Sequence, residues 1–260
     1  MAVVQVEFRR EWVLLDSETS GLKPPIYALE IGAQRMMGWE KNGPAFQCFL
    51  DHKQPIEPGA SAVNGLTGER LARDGISPEA AHKRLAEYVG DLPLVSFNLG
   101  YDLDEVLLPE WKRLGIEPIG RRGFCLWKLA RRLLDPSPAG SCGLQALRQF
   151  YRLSGGDAHT ALGDVQTSFE LFGQVLRPLL QERGLLSWDE IAAFSETEWF
   201  PRVIRFGEFK GRYFEDAEFE PALHDWLRST ALSEDPKAAQ QAQWYLRQIA
   251  QSKRNELERV

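Results

Sequence analysis

The first part of the chain alternates short apolar runs with turn-forming residues. Apolar runs occupy residues 12–16, 26–37 and 45–50, and the turn-rich stretches 20–25 and 42–44 separate them. Short apolar runs bounded by Gly, Pro, Asn and Ser are typical of β-strands. Because no helical pattern lies between them, the three runs predict an antiparallel meander.

Helical periodicity begins after residue 77 and alternates with two further short strands. Ser77 and Pro78 are typical of a helix start, because Ser caps the first turn and Pro fits its first position. Short strands are predicted at 94–97 and 124–125. Apolar residues at helical spacing predict helices over 78–88, 103–114, a segment that ends near 134, 143–151 and 161–179. A meander followed by β-α units predicts an α/β fold, in which a mixed sheet is flanked by helices.

The periodic pattern weakens near residue 183, which predicts a domain boundary. We expect a larger domain over 1–185, a linker over 186–199 and a small C-terminal α+β module over 200–260. The pattern inside this module predicts three elements: a hairpin around 203–213, a helix over 221–229 and a last helix over 236–257. The last helix would place four apolar residues on one face: Ala242, Tyr245, Leu246 and Ile249.

The composition is that of an ordinary globular protein. Hydrophobic residues make up 43% of the chain and charged residues 26%, which excludes a disordered chain. No apolar run approaches the roughly 18 residues of a membrane span, and charges interrupt the N-terminal apolar stretch before a signal-peptide core forms. We therefore expect a cytoplasmic protein without a membrane partner. The three cysteines lack C-x-x-C spacing, so neither a disulfide framework nor a zinc site is expected.

The charge is unevenly distributed along the chain. The net charge is −6, yet residues 111–152 carry nine basic and two acidic side chains. A basic stripe on an acidic protein can contact phosphate groups. The same pattern also fits a solvated basic face, and the two interpretations stay open.

Two acids, Asp16 and Glu18, stand two residues apart at the end of the first predicted strand. The period-two alternation of a strand points both side chains to one face. Adjacent carboxylates repel each other unless a cation lies between them, and a divalent ion is the usual partner. The spacing alone has low specificity, because Asp216 and Glu218 repeat it in another context.

Further candidate groups follow later in the chain. Asp102 comes after the predicted strand 94–97, where it either caps the next helix or faces the first pair of acids at the sheet edge. His159 and Asp164 could act together if Thr160 caps a helix, which leaves His159 on the entry loop. A histidine beside acids suits a proton acceptor near pH 7, although an exposed loop histidine without a role is the simpler interpretation.

Three runs of sequence together carry a resemblance to a known family: DSETSGL at 16–22, FNLGYD at 97–102 and HTALGD at 159–164. They resemble the three motifs of the DEDD superfamily of 3′→5′ exonucleases, in its histidine-containing branch, and most closely those of its bacterial exonuclease X group. The resemblance covers almost the whole chain, and it implies an RNase H-like fold with the exonuclease domain in the larger, N-terminal part. Phe97 and Asn64 stand where many relatives have His.

The resemblance also implies a site that hydrolyses phosphodiester bonds with two metal ions. The expected ions are Mg²⁺, which Mn²⁺ can replace. In that scheme Asp16 bridges both ions, Glu18 and Asp164 complete the site of the attacking water, and Asp102 supports the second ion. His159 accepts a proton from the attacking water, and a nucleoside 5′-monophosphate is released.

The expected partner is a DNA 3′ end, single-stranded or duplex. The resemblance implies that Thr19 and Leu22 contact the terminal nucleotide and that Asn98 braces the loop before Asp102. Three basic residues within about one helical turn would follow the phosphate backbone: Lys128, Arg131 and Arg132. In the module, basic and aromatic residues alternate and either contact a strand or pack within the module: Arg202, Arg205, Phe206, Phe209, Lys210, Arg212 and Tyr213.

Several alternatives stay open at this point. An RNA 3′→5′ exonuclease similar to RNase T or oligoribonuclease, and a polymerase proofreading subunit, share the same motifs, because recognition of the 2′-hydroxyl depends on pocket contacts. The resemblance of the C-terminal module favours the DNA enzyme. Outside the enzymes, a nucleic-acid-binding scaffold without catalysis is the alternative. The presence of all five candidate catalytic residues argues against it, because a scaffold has no use for clustered like charges.

Overall fold

A mixed β-sheet forms the centre of the first of two units into which the chain divides. The structure is a computed structural model that describes residues 8–257. The first unit contains the chain up to Leu133 and Ala139–Glu196, and the second contains Leu134–Pro138 and the chain from Thr197 onward. Within the described residues, the sheet of the first unit has six strands.

The order of the strands confirms the predicted α/β architecture. The strands are β1 (Glu11–Thr19), β2 (Ala28–Met37), β3 (Glu40–Lys41), β4 (Phe46–Phe49), β5 (Pro93–Ser96) and β6 (Arg121–Cys125). They lie in the order β3-β2-β1-β5-β6, and β4 also pairs with β2. β2 is antiparallel to β1 and β4, whereas β5 is parallel to β1 and β6 is parallel to β5. The meander therefore precedes the β-α units, as the sequence predicts.

Helices connect and cover these strands. In the first unit they are α1 (Pro58–Asn64), α2 (Gly68–Asp74), α3 (Pro78–Val89), α4 (Leu108–Leu114), α5 (Leu126–Leu133), α6 (Leu144–Tyr151), α7 (Ala161–Glu170), α8 (Arg177–Glu182) and α9 (Trp188–Glu196). The second unit contains α10 (Pro221–Thr230) and α11 (Pro236–Leu257). π-helical turns precede α4 over Gly100–Leu107 and join α7 to α8 over Leu171–Leu176. Ser77 caps α3 as predicted, whereas α1 and α2 were not predicted, because seven residues give too little periodicity. Among residues 8–257, no helix is long and apolar enough to cross a membrane.

An aromatic cluster extends the first unit beyond its predicted end. The ring of Trp188, at the start of α9, lies 4.8 Å from that of Phe124 and 5.7 Å from that of Phe8, between centroids. Large aromatic rings bury much apolar area when they pack in this way. The predicted linker 186–199 therefore contains a helix, and the first unit runs to Glu196 instead of ending at 185.

A buried polar cluster surrounds Glu110 of α4, which is 1% exposed. Its Oε1 lies 2.7 Å from His82 Nε2 and 3.3 Å from His52 Nε2, and its Oε2 accepts a hydrogen bond from Ala28 N at 2.9 Å. Trp111 Nε1 donates to His82 Nδ1 at 3.0 Å, so the ring proton of neutral His82 lies on Nε2, toward Glu110. The cluster thus ties the start of β2 to α3 and α4.

The second unit packs around α10 and α11. Its core contains the buried residues Leu223, Leu227, Ala242, Tyr245 and Ile249, with Leu246 partly buried against them. The predicted apolar face of the last helix is therefore the face that packs. The predicted hairpin is reduced to a single bridge between Val203 and Tyr213. Asp135, from the short first segment of this unit, accepts a hydrogen bond from Arg202 N at 2.6 Å.

Candidate active site

The end of β1 and the segment after β5 meet at one edge of the sheet. The two strands are parallel neighbours, so the residues that follow them lie side by side. An open cleft of about 530 Å³ lies here, and all five predicted catalytic residues line it: Asp16, Glu18, Asp102, His159 and Asp164. Its other walls come from Ser17, Phe97, Asn98, Tyr101, Ser141, Gly143, Leu144, Gln145 and Ala146.

A glycine allows α7 to approach the sheet and bring Asp164 toward Asp16. Gly32 of β2 lies opposite Asp16 in the β1–β2 ladder. A Cβ atom at this position would lie 2.5 Å from backbone atoms of both Ala161 and Leu162. Any larger side chain would push the first turn of α7 away, so the glycine is required for the close approach.

The first turn of α7 positions two of the candidate residues. Thr160 caps the helix, because its hydroxyl oxygen accepts a hydrogen bond from Gly163 N at 3.1 Å. His159 precedes the cap with a φ of 60°, in the left-handed region that few residues other than glycine adopt. Glu18, His159 and Asp164 each present one ligand atom, and these atoms lie within 4.8 Å of one another. The two carboxylate oxygens fit a divalent metal ion, and the imidazole nitrogen beside them is within reach of a water molecule bound there.

The acids of the cleft face one another, and their pKa values are raised. Burial raises the pKa of Asp16 well above its usual value, and repulsion from Asp102 and Asp164 raises it further. Burial and repulsion from Asp164 raise the pKa of Glu18 to about 7. Burial also raises the pKa of Asp164, against the opposing influence of His159. A cation in the cleft would relieve the repulsion, so the electrostatics favour the binding of positive charge.

Asp102 belongs to the π-helical turn and does not cap a helix. Only 3% of the residue is exposed. Its Oδ1 accepts hydrogen bonds from the Ser17 N–H at 3.0 Å and the Ser17 hydroxyl at 2.6 Å, and its Oδ2 accepts one from the Ser96 hydroxyl. Burial raises the pKa of Asp102 to about 6, although these hydrogen bonds oppose the effect. Of the two interpretations of Asp102, the structure supports the one in which it faces the acids of β1.

One acid beside the cleft was not predicted. Glu30 of β2 is 1% exposed and lies opposite Glu18 in the β1–β2 ladder. Gln47 Nε2 donates a hydrogen bond to its Oε1 at 2.7 Å. Repulsion from Glu30 contributes to the raised pKa of Glu18. The position of Glu30 inside the apolar run 26–37 could have indicated a functional residue, because an acid is rarely buried without a partner.

Two polar residues of the cleft, Gln145 and Tyr101, form hydrogen bonds that the sequence did not predict. Gln145 of α6 donates from Nε2 to Asp164 Oδ1 at 2.8 Å. The hydroxyl of Tyr101 lies 2.7 Å from Thr19 Oγ1 and donates to Gly21 O at 3.3 Å. These contacts join segments far apart in the chain, so no local pattern could reveal them.

The residues expected to contact the terminal nucleotide differ in exposure. Leu22 is 75% exposed, whereas Thr19 is buried, with its carbonyl accepting a hydrogen bond from Asn64 Nδ2 at 3.2 Å. Asn98 lines the cleft, and its carbonyl accepts a hydrogen bond from Asp102 N at 3.1 Å. Leu22 is thus accessible to a ligand, whereas Asn98 contacts Asp102 through its main chain, and the bracing role of Asn98 stays a prediction.

The basic residues of α5 are held by neighbouring groups. Lys128 Nζ donates to Glu196 Oε2 at 2.6 Å, and Arg131 lies over the ring of Trp127 at 4.6 Å from its centroid. Arg132 donates to the carbonyl of Lys128 at 3.3 Å. In the described part of the chain, none of the three basic residues lines the cleft. Their contact with phosphate stays a prediction.

Some of the alternating basic and aromatic residues of the second unit pack or pair within that unit. The rings of Phe206 and Phe209 each lie 5.5 Å from the ring of Trp226. Arg212 forms an ion pair with Glu220 at 2.6 Å. Arg205, Lys210 and Tyr213 are exposed, and their contact with a nucleic-acid strand stays a prediction.

Comparison with known sequences gives the family. The sequence profile of the exonuclease family RNase_T matches residues 13–172. A protein of Mycobacterium tuberculosis (strain CDC 1551 / Oshkosh), named as a bifunctional exonuclease/endonuclease, is 29% identical over 182 residues, which cover 66% of this chain and 27% of the relative. The chain thus spans only 27% of the length of that curated relative.

Solved structures share the fold. Exonuclease I of E. coli, in complex with a dT13 oligonucleotide, superposes with a TM-score of 0.59 at 18% identity, covering 67% of this chain and 43% of the other. Exonuclease X, in complex with 5′-overhanging duplex DNA, superposes with a TM-score of 0.51 at 19% identity, covering 71% and 99%. The family profile spans more than half of the chain and includes every acid of the cleft. The chain therefore belongs to the exonuclease family RNase_T, the DEDD-type exonucleases that its motifs resemble.

Proposed function

We propose that this protein is a metal-dependent 3′→5′ exonuclease that releases nucleoside 5′-monophosphates from DNA. The observation that carries the proposal is the convergence of four acids and His159, from three distant segments, on one open cleft. Acids that face one another destabilise a fold, and active sites are where such arrangements are found. The same observation argues against a scaffold without catalysis.

Two divalent ions, Mg²⁺ or Mn²⁺, fit the donor set of the cleft. Hard cations prefer oxygen ligands, and the carboxylates of the cleft supply them. When bound, such ions activate water and stabilise the negative charge that develops on the leaving oxygen. Asp16 would touch both ions, Glu18 and Asp164 would hold one, and Asp102 would support the other.

His159 is the group proposed to accept the proton of the attacking water. The residue is exposed on the loop before α7, with a ring nitrogen within 4.8 Å of carboxylate oxygens of Glu18 and Asp164. A neutral imidazole near pH 7 can accept a proton. The neighbouring carboxylates would then stabilise the imidazolium that forms.

A DNA 3′ end is the proposed substrate. Support comes from two exonucleases of the same fold, exonuclease I and exonuclease X, whose structures hold DNA. The exposed side chain of Leu22 is accessible to a terminal nucleotide. RNA is the second candidate, because a 3′-exonuclease of the same fold recognises a histone mRNA stem-loop. A pocket contact to the 2′-hydroxyl would decide between them.

The test is degradation of oligonucleotides labelled at one end. With 5′-labelled single-stranded and duplex DNA, we expect Mg²⁺ to produce a ladder that shortens from the 3′ end and EDTA to abolish it. Products from 3′-labelled DNA should be mononucleotides. Cleavage confined to RNA would replace the DNA assignment, and no cleavage of either polymer in Mg²⁺ or Mn²⁺ would refute the enzyme.

The chain provides its own control for the role of the first pair of acids. Asp16→Ala should abolish degradation, because it removes a ligand shared by both ions. Asp216→Ala removes the first acid of the same spacing outside the cleft, where Asp216 pairs with Arg212 at 3.2 Å. This control variant should degrade DNA at the wild-type rate. Equal rates in the two variants would exclude a role for the cleft.

A further inference from the structure

Two serines hold Asp102 from inside the protein. Ser17 lies between Asp16 and Glu18 on β1 and is 7% exposed, and Ser96 ends β5 and is 0% exposed. Ser17 donates to Asp102 Oδ1 from its N–H at 3.0 Å and from its hydroxyl at 2.6 Å, and the Ser96 hydroxyl donates to Oδ2. Neither hydroxyl has a part in the chemistry described above.

The number of hydrogen-bond donors around Asp102 limits how its carboxylate can contact a metal ion. Each carboxylate oxygen has two lone pairs. The two donors of Ser17 occupy both acceptor positions of Oδ1, and Ser96 occupies one position of Oδ2. Among the residues that the structure describes, Asp102 therefore has at most one acceptor position left, on Oδ2. This excludes a contact in which both oxygens chelate one metal ion.

The same hydrogen bonds fix the rotation of the side chain. Asp16 and Asp102 repel each other, and the three hydrogen bonds hold the Asp102 carboxylate in place against this repulsion. Ser17 and Ser96 come from neighbouring strands, and the ladder pairs Leu15 with Ser96. The position of each donor is therefore set by the sheet and not by a mobile loop.

We propose that Ser17 and Ser96 are positioning residues, which hold Asp102 so that Oδ2 alone meets an ion in the cleft. The inference rests on the proposed function, which supplies the ion. Loss of either hydroxyl removes one of the three hydrogen bonds that fix the rotation of the carboxylate, so ion binding weakens although no residue expected to contact the ion has changed.

Mn²⁺ binding tests the proposal independently of activity. Free Mn²⁺, followed by electron paramagnetic resonance during titration, should show about tenfold weaker binding to Ser17→Ala and to Ser96→Ala. The value of kcat should fall by a similar factor, with KM for DNA changed less than twofold. Ser17→Thr keeps the hydroxyl and should restore both quantities. Ser195→Ala, which removes a hydroxyl that is also 0% exposed but lies on α9, is the matched control and should bind Mn²⁺ normally.

A double-mutant cycle tests whether the serines act through Asp102. In the Asp102→Ala background, Ser17→Ala should weaken Mn²⁺ binding by less than twofold. Wild-type affinity in both serine variants, or an undiminished loss in the Asp102→Ala background, would overturn the proposal. If the wild-type protein binds Mn²⁺ and the cycle behaves as expected but no nucleic acid is cleaved, the proposed function fails and the positioning role stands.

Discussion

Two groups of acids and histidines in the first unit have opposite electrostatics. In the cleft, acids face acids, and the pKa of Glu18 is raised to about 7. Around Glu110, burial opposes ionisation, but contacts with His52 and His82 lower the pKa of Glu110 to about 2. Burial alone therefore does not set the protonation state of an acid. The charges and hydrogen-bond donors around the acid also set it.

A functional acid can therefore be distinguished from a structural acid by the groups that surround it. The Glu110 cluster satisfies its carboxylate with donors from α3 and from the start of β2, which is what a structural acid requires. The cleft leaves like charges together, and this costs stability until a cation arrives. A buried acid that lacks enough hydrogen-bond donors or cations is thus a better indication of a catalytic site than burial alone.

Replacement of the two histidines should separate catalysis from stability. His159→Ala should lower kcat at pH 7 by about 10²- to 10⁴-fold, because a proton acceptor is lost, with unchanged DNA binding and melting temperature. His82→Ala should destabilise the protein by about 3 kcal/mol, because it leaves Glu110 buried with fewer donors. Kinetics with saturating DNA and urea unfolding measure the two effects. A full rate for His159→Ala at pH 7 would remove the proposed proton acceptor.

Removing one charge from each group should change stability in opposite directions. In the metal-free protein at pH 8, Glu110→Gln should lower the free energy of unfolding by about 3 kcal/mol, because an amide nitrogen replaces one accepting oxygen and leaves buried donors unpaired. Glu18→Gln should raise it by about 1 kcal/mol, since it relieves repulsion that solvent only partly screens. Urea unfolding in EDTA measures both, and a loss of stability in Glu18→Gln would contradict the repulsion.

The stability of the metal-free protein should fall as the pH rises from 5 to 8. The pKa of Glu18 is about 7 in the folded state, against an ordinary 4.5, and that of Asp102 is about 6. Both raised values favour the folded state at low pH, and the benefit is lost as the pH rises through them. Glu110 acts in the opposite sense, because its lowered pKa stabilises the fold above about 4.5 and the benefit is lost toward pH 2.

Unfolding in urea and EDTA at pH 5, 6, 7 and 8 measures this dependence. We expect a loss of about 1–2 kcal/mol across the range. Glu18→Gln should flatten the curve, and Mg²⁺ should do the same in the wild-type protein. A wild-type curve that rises with pH would show that the acids of the cleft are not under mutual repulsion.

The smallest expected effect concerns two tyrosine hydroxyls. Tyr101→Phe removes the hydrogen bonds to Thr19 and Gly21 and should raise KM for DNA about 3- to 10-fold with little change in kcat. Tyr88→Phe removes a hydroxyl that accepts from Arg35 N at 2.8 Å and donates to Pro44 O at 2.9 Å, outside the cleft. Its KM should stay at the wild-type value. A shift of equal size in both variants would point to general loosening of the fold.

The sequence predicted those parts of the molecule that depend on local pattern. Short apolar runs bounded by turn residues located β1, β2 and β4. Thr160 caps α7, which was the condition for His159 and Asp164 to act together. Three motifs at strand ends and a helix start were enough to predict five residues that line the cleft. Site residues of this kind can be predicted from the sequence because the topology of the sheet brings the ends of neighbouring strands together.

The contacts that hold the site together could not be predicted from the sequence. Ser17 and Asp102 are 85 residues apart, and Gln145 and Asp164 are 19 apart. The helix α9 was missed because Trp188 is buried by distant aromatic rings and not by a periodic apolar face. Such partners depend on packing in three dimensions, which a one-dimensional pattern does not encode.

The second unit is discontinuous, and this has a consequence for how the protein can be cut or recombined. Leu134–Pro138 belongs to that unit although the first unit resumes at Ala139. A protein ending at Glu196 would keep this short stretch but lose Arg202, which binds Asp135. No single cut releases either unit whole, so exchange of the second unit between proteins requires three crossovers: before Leu134, after Pro138 and before Thr197.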